Sequence, residues 1–404
     1  MKNAFIFFII SPFLGVIQAF KNYREKWAVN SVWFFVVFFG YTMYRPESMD
    51  SYRYVLKLEK LYYSSLSWES FLLNLYNEEG NVVDIYQPLM SYFISMFTAN
   101  GNVLFAMYGL VFGYFYSRNI WMVLNFAKET KMNMNRWILI FVFVSIVGYW
   151  DLNGVRMWTA AHIFFYGAFK YLMEGKHKGM LIAALTILVH FSFILPVGLL
   201  ALFYVIKLPW TFTYFFYLVS FFISNLNLDQ IGARLERILP SFLTPKINSY
   251  LNEDYVEVIS RVKVQTSWFV IYYSKSIDWV LVILLSVIYF TRKLTSKHEK
   301  SFNNLFGFTL VFLAISNILA AAPSGGRYLM VAKLFAIALL FLFYIQYNNK
   351  FFNTWLYLLR PFLVFFLVIS LRLSLDNTTV MTIFTNPLIV AFVDFPKPLL
   401  EFFK

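Results

Sequence analysis

The chain has no cysteine and few charges: only 14% of its 404 residues are Asp, Glu, Lys or Arg. Without thiols there is no disulfide framework and no thiolate metal site. An average soluble domain carries roughly 25% charged residues. With 60% hydrophobic residues and a mean hydropathy of +0.62, this chain lacks the polar surface that a water-soluble globule needs. Acidic residues are the scarcest charged class, 21 against 34 basic ones, for a net charge of +13. Such a balance invites a nucleic-acid reading. The bases, however, sit in short loops between long apolar runs, where Lys and Arg set membrane topology. No internal repeat, low-complexity tract or soluble domain is evident. The expectation is an all-α, polytopic transmembrane helix bundle of about 11–13 spans, forming one domain over residues 1–404.

What is present is a series of apolar runs near 4–20, 28–44, 102–126, 137–150, 155–173, 181–206, 210–226, 268–290, 302–322, 327–347 and 355–375. The stretch Phe5–Phe20 resembles a signal peptide but lacks a small-residue cleavage site, so it is read as a span. Four basic loops should share the cytoplasmic side: Lys21, Arg24 and Lys26; Lys128, Lys131 and Arg136; Lys176 and Lys178; and Arg292, Lys293, Lys297 and Lys300. Parity then demands two irregularities. Ile85–Thr98 must be a re-entrant or interfacial segment, being short for a crossing. The run 181–206 must break into two segments that turn near the outer face, with Pro196 as the expected breaker. This threading puts the N-terminus outside and leaves outer loops near 45–84 and 227–267. Ile231–Leu239 in the second loop reads as an amphipathic surface helix.

Against this background, ionisable groups inside or beside spans stand out, because an Arg near the bilayer centre costs at least ~2.5 kcal/mol on insertion scales. Arg156 (in Asp-Leu-Asn-Gly-Val-Arg, 151–156) and Arg327 (in Pro-Ser-Gly-Gly-Arg-Tyr, 323–328) each open a span at its outer end. His190 (in Leu-Val-His-Phe-Ser, 188–192) lies in the outer half of a broken span, and Asp50 and Arg53 follow another span outward. Lys170, near an inner end, is expected to snorkel, and His162 to be structural. Arginines at two helix starts, each preceded by glycine, suit a diphosphate: the guanidinium fork donates two parallel bonds, and a helix N-terminus adds partial positive charge. Taken singly, the same arginines fit interfacial anchors. No metal-ligand spacing is seen and no cofactor is expected.

In order along the chain, Asp50-Ser-Tyr-Arg-Tyr, Asn153-Gly-Val-Arg156, Val189-His190-Phe-Ser192 and Gly326-Arg327-Tyr328 resemble the EpsG-type family of Wzy-like bacterial polysaccharide polymerases. The likeness covers roughly residues 35–330. Where the family usually has a Glu-Pro-Gly-like start after the first outer loop, this chain has Asp84-Ile-Tyr-Gln-Pro88, so Asp84 and the pair Glu78–Glu79 compete for the acidic position. The resemblance implies a GT-C-like, metal-independent membrane glycosyltransferase of O-antigen, capsule or exopolysaccharide biosynthesis. It would be multi-pass in the bacterial cytoplasmic (inner) membrane, with its site facing the periplasm or cell exterior. Its substrates would be oligosaccharide repeat units on undecaprenyl diphosphate, as donor and acceptor, with a flippase and a chain-length regulator as candidate partners. Arg156, Arg327 and Arg53, with Asn153, Tyr328 and Asp84, would bind substrate, and His190 or Asp50 would be the base. Two rival readings use nearly the same groups: a ligase moving finished glycan to another acceptor, and a transporter or flippase of the lipid-linked oligosaccharide.

Overall fold

The structure, a computed structural model, describes all residues except 1, 65, 77–83, 207, 224–266, 292–298, 321, 323, 348, 394–396 and 404. Helix 231–239, Glu78–Glu79 and three of the four bases of the 292–300 loop lie outside the described residues. Among the described residues the regular structure is helical, with one isolated bridge, Thr379–Pro398. The helices are α1 (Lys2–Ile10), α2 (Pro12–Lys21), α3 (Ala28–Thr42), α4 (Asp50–Ser64), α5 (Trp68–Tyr76), α6 (Tyr86–Ser95), α7 (Gly101–Leu124), α8 (Met134–Ile146), α9 (Val155–Glu174), α10 (His177–Ala184), α11 (Thr186–Val189), α12 (Ile194–Ile206) and α13 (Trp210–Ser220). They continue with α14 (Trp268–Thr291), α15 (Glu299–Leu319), α16 (Gly326–Gln346), α17 (Lys350–Leu358), α18 (Arg360–Ser374) and α19 (Val380–Phe384).

By length and apolarity, four described segments are able to cross a membrane: the helical run 134–174, α14, α15 from Lys300, and α16. The pair α17–α18, bent by 49°, makes a fifth. That is fewer than the 11–13 expected, because several apolar runs are divided into shorter helices and because α7, at 24 residues, is long enough to cross but falls short in apolarity. The chain is nevertheless an all-helical membrane protein. Its centre is α16, whose residues from Val331 to Phe343 are buried all round, the signature of a helix enclosed by other helices. Lys333 in this helix pairs with Asp278 of α14 at 2.7 Å, which satisfies a charge in the middle of the bundle.

Close backbone approach joins α3 to α7. A Cβ on Gly40 would stand 2.2 Å from the Phe105 carbonyl oxygen, and one on Gly109 2.7 Å from that of Val36. Small residues allow this contact where lipid offers no hydrophobic drive between helices. Either glycine replaced by leucine would force the pair apart.

The two ends of the bundle are distinct. At one end Arg24 donates to the Thr130 carbonyl (3.0 Å) and Asn133 to Tyr344 (2.9 Å), so the first two basic loops meet there. Tyr171 packs on Tyr204 at that end, beside a cavity of 550 Å³ bounded by His177, Phe203 and Lys300. Basic residues of all four loops therefore gather at one end. Between the ends, α8 and α9 run antiparallel: Phe143 lies on Phe165, and His162 Nε2 is 3.2 Å from the Val147 carbonyl. The turn 149–154 is thus a hairpin tip at the opposite end, and the run 134–174, one segment by length and apolarity, goes out along α8 and returns along α9.

Three expectations are refined here. The apolar run 4–20 is not one span but α1 and α2, bent at Ser11 (φ −163°, ψ 105°), with Phe7 folded back toward Gly15. At 1.5 Å per residue neither half crosses a bilayer. Next, α6 has only 10 residues. It starts after Asp84, which contacts Arg156, and the chain is back at the same end by Asn102, a partner of Arg45. Segment 85–98 therefore does not cross. Finally, the run 181–206 does turn back on itself, but it breaks at His190 (φ −147°, ψ 113°) and not at Pro196. Pro196 is the third residue of α12, where its missing N–H costs no intrahelical bond.

Candidate functional site

At the end away from the basic loops lies a polar cavity of 420 Å³. Five of the residues singled out in the sequence line it: Asp50, Asn153, Arg156, His190 and Arg327. They arrive from four separate stretches of chain. Asp50 is the first residue of α4. Asn153 and Arg156 flank the junction of the 149–154 turn with α9, where Gly154 is needed because a Cβ would meet the Trp158 indole at 2.7 Å. Arg327 is the second residue of α16. The turn before it is tight: a Cβ on Gly325 would fall 1.8 Å from the Leu319 oxygen, and Ser324 adopts a left-handed φ of 62°. Both arginines therefore project from the first turn of a helix, where the helix dipole favours anions.

The predicted substrate ligand Asp84 plays a different part. Its side chain is 3% exposed, and it does not line the cavity. One carboxylate oxygen, Oδ2, accepts from Arg156 Nη1 at 2.9 Å, and Oδ1 accepts the Phe191 N–H at 2.6 Å. A carboxylate facing a diphosphate would repel it. Buried behind Arg156, it fixes the guanidinium and ties α9 to the 190–192 turn. His190 Nδ1 lies 3.9 Å from Asp84 Oδ2 and accepts the Ser192 N–H at 3.3 Å. An Nδ1 that accepts places the proton of a neutral imidazole on Nε2, which makes that nitrogen a donor.

Two further candidates stand outside the cavity lining. Arg53 is 73% exposed and pairs with Asp50 at 3.3 Å. Tyr328 donates its hydroxyl to the Ser192 carbonyl at 3.1 Å and so braces the His190 turn from α16. His162 is buried in structural hydrogen bonds, as expected.

The cavity also contains residues to which the sequence gave no role. Asp151, in the 149–154 turn, accepts the Gly148 N–H at 2.7 Å, which holds its carboxylate on the cavity wall. Its place five residues before Arg156 was the available signal. Tyr54 lies one turn after Asp50 in α4; burial raises its phenol above the ordinary range against the pull of the Arg156 charge, so it remains a neutral hydrogen-bonding group. Asn377 is brought in by the backbone bond from Tyr44 N–H to its carbonyl (3.0 Å), and nothing local in the sequence marks it. Among the described residues no three His, Asp or Glu side chains are grouped to hold a metal ion.

Comparison with protein-family models, with curated proteins and with solved structures gives no match for this chain.

Proposed function

We propose that this protein is a polysaccharide polymerase that joins oligosaccharide repeat units carried on undecaprenyl diphosphate, working at the outer face of the bacterial cytoplasmic membrane. The observation that carries the reading is the convergence of Arg156 and Arg327, from two distant helix starts, on one polar cavity shared with His190. Basic loops at the opposite end support an outward-facing site.

In the reaction, an acceptor sugar hydroxyl attacks the anomeric carbon of the donor glycan. A new C–O bond forms, the bond from that carbon to the diphosphate oxygen breaks, and the lipid diphosphate leaves with the electron pair. Arg156, held by the buried Asp84, and Arg327, in the first turn of α16, stabilise the charge that develops on the leaving group. The buried Asp84 holds Arg156 in place before substrate arrives, so little reorganisation is needed. His190, with its proton on Nε2, serves as a donor to the diphosphate. The hydroxyl proton goes to a carboxylate on the cavity wall: Asp151, held by the Gly148 amide, or Asp50, held by Arg53.

The test is the surface glycan of cells from which the protein is deleted, resolved on gels. Loss of the ladder with one-unit glycan retained is the expected result. Loss of all lipid-linked surface glycan would replace polymerase with ligase or flippase.

A further inference from the structure

Beside the charged cavity lies a second one of opposite character. A cavity of 530 Å³, within the range of small-molecule sites, is walled by apolar parts of Ile85, Leu89, Phe93, Met107, Leu185 and Leu188. It is built between α6 and the α10–α11 arm. These two walls are joined by a backbone bond from Ile85 N–H to the Leu188 carbonyl at 3.1 Å. Its position matters more than its size. Ile85 follows Asp84, the partner of Arg156, and Val189, also in the wall, precedes His190 of the charged cavity. The apolar groove and the cationic cavity therefore stand on two sides of the same Asp84–His190 partition.

We infer that this groove seats the hydrocarbon chain of the lipid diphosphate whose head is held by Arg156 and Arg327. An anionic head and an apolar tail in one molecule are what two adjoining sites of these characters accommodate together. Phe93, Leu185 and Leu188 in its wall are each about half exposed, so the groove opens on the outside of the bundle, where a lipid in the bilayer enters without leaving the apolar phase. The inference rests on the proposed reading of the charged cavity and adds the path of the tail.

The experiment uses the full chain in nanodiscs and two probes with a common head: undecaprenyl diphosphate and inorganic diphosphate. Leu188→Trp fills the groove. So does Leu185→Trp, whose parent side chain is 56% exposed and so tolerates a larger residue if Leu188→Trp fails to fold. Leu181→Trp, on the same arm but outside the groove, is the control. Both groove variants should weaken undecaprenyl diphosphate by about three- to tenfold, the modest size expected where bilayer lipid competes for the same contacts. Inorganic diphosphate should bind them as it binds the unmodified protein, and the control should match the unmodified protein for both probes. If the groove variants weaken neither probe, or both alike, the tail lies elsewhere and the inference is overturned. The underlying reading fails separately: in that case Arg156→Ala leaves the affinity for both probes unchanged.

Discussion

Removing the Asp84 carboxylate tests whether the site is preorganised as argued. Asp84 is buried and accepts from Arg156 at 2.9 Å and from the Phe191 amide at 2.6 Å. Breaking a fully buried ion pair costs about 3–5 kcal/mol. Arg156, however, is 38% exposed on the cavity side and keeps part of its hydration. The stability loss for Asp84→Ala should therefore fall nearer the value for one charged hydrogen bond, about 1.5–3 kcal/mol. Asp84→Asn retains an oxygen for the Phe191 amide and should lose less. The effect on turnover should be larger than the effect on stability, because a misplacement of about 1 Å in a positioning group can cost 10²-fold. The assay is a double-mutant cycle with Arg156→Ala, read both as thermal stability in detergent and as chain extension with lipid-linked repeat units. If Asp84 acts through Arg156, losing both should cost little more activity than losing Arg156 alone. Additive effects, within about 0.5 kcal/mol, would mean that Asp84 acts independently of Arg156, and the positioning argument would be wrong.

Three other outcomes follow from the same geometry. Arg156→Lys and Arg327→Lys should each lose most polymerisation while folding normally, since an ammonium keeps the charge but not the two-pronged geometry; near-normal glycan ladders from both would reduce these arginines to membrane anchors. His190→Gln should retain substantially more transfer than His190→Ala, because an amide N–H replaces the Nε2–H donor; equal loss in both would return His190 to the role of base. Of Asp151→Asn and Asp50→Asn, the variant lacking the base should lose about 10²–10⁴-fold in turnover with donor binding intact, measured by single-turnover transfer beside donor binding; if both retain turnover, the proton goes to neither carboxylate.

The membrane class was legible because composition leaves no alternative for a chain this apolar, and the grouping of the basic loops was legible because charge in short loops is a local property. Gathering of described residues from all four loops, Lys300 for the last, at one end of the bundle agrees with that threading. Span count was less legible. Hydropathy averages over a window, whereas the bends at Ser11 and His190 depend on single backbone conformations. Pro196 was a misleading marker, because proline disrupts a helix interior but is tolerated in the first turn, where it sits.

For the site, the sequence by itself determined which residues were too costly to be incidental: Arg156, Arg327, His190 and Asp50, with Asn153 beside them, were singled out by charge, span position or motif, and they share one cavity. Tertiary structure alone decided what each one faces. It turned Asp84 from a substrate ligand into the buried partner of Arg156, placed Arg53 outside the lining, and added Asp151 and Asn377. The physical reason is that the cost of placing a charge near lipid is written in the local sequence. The partner that neutralises that charge is chosen by packing, here across 72 residues between Asp84 and Arg156.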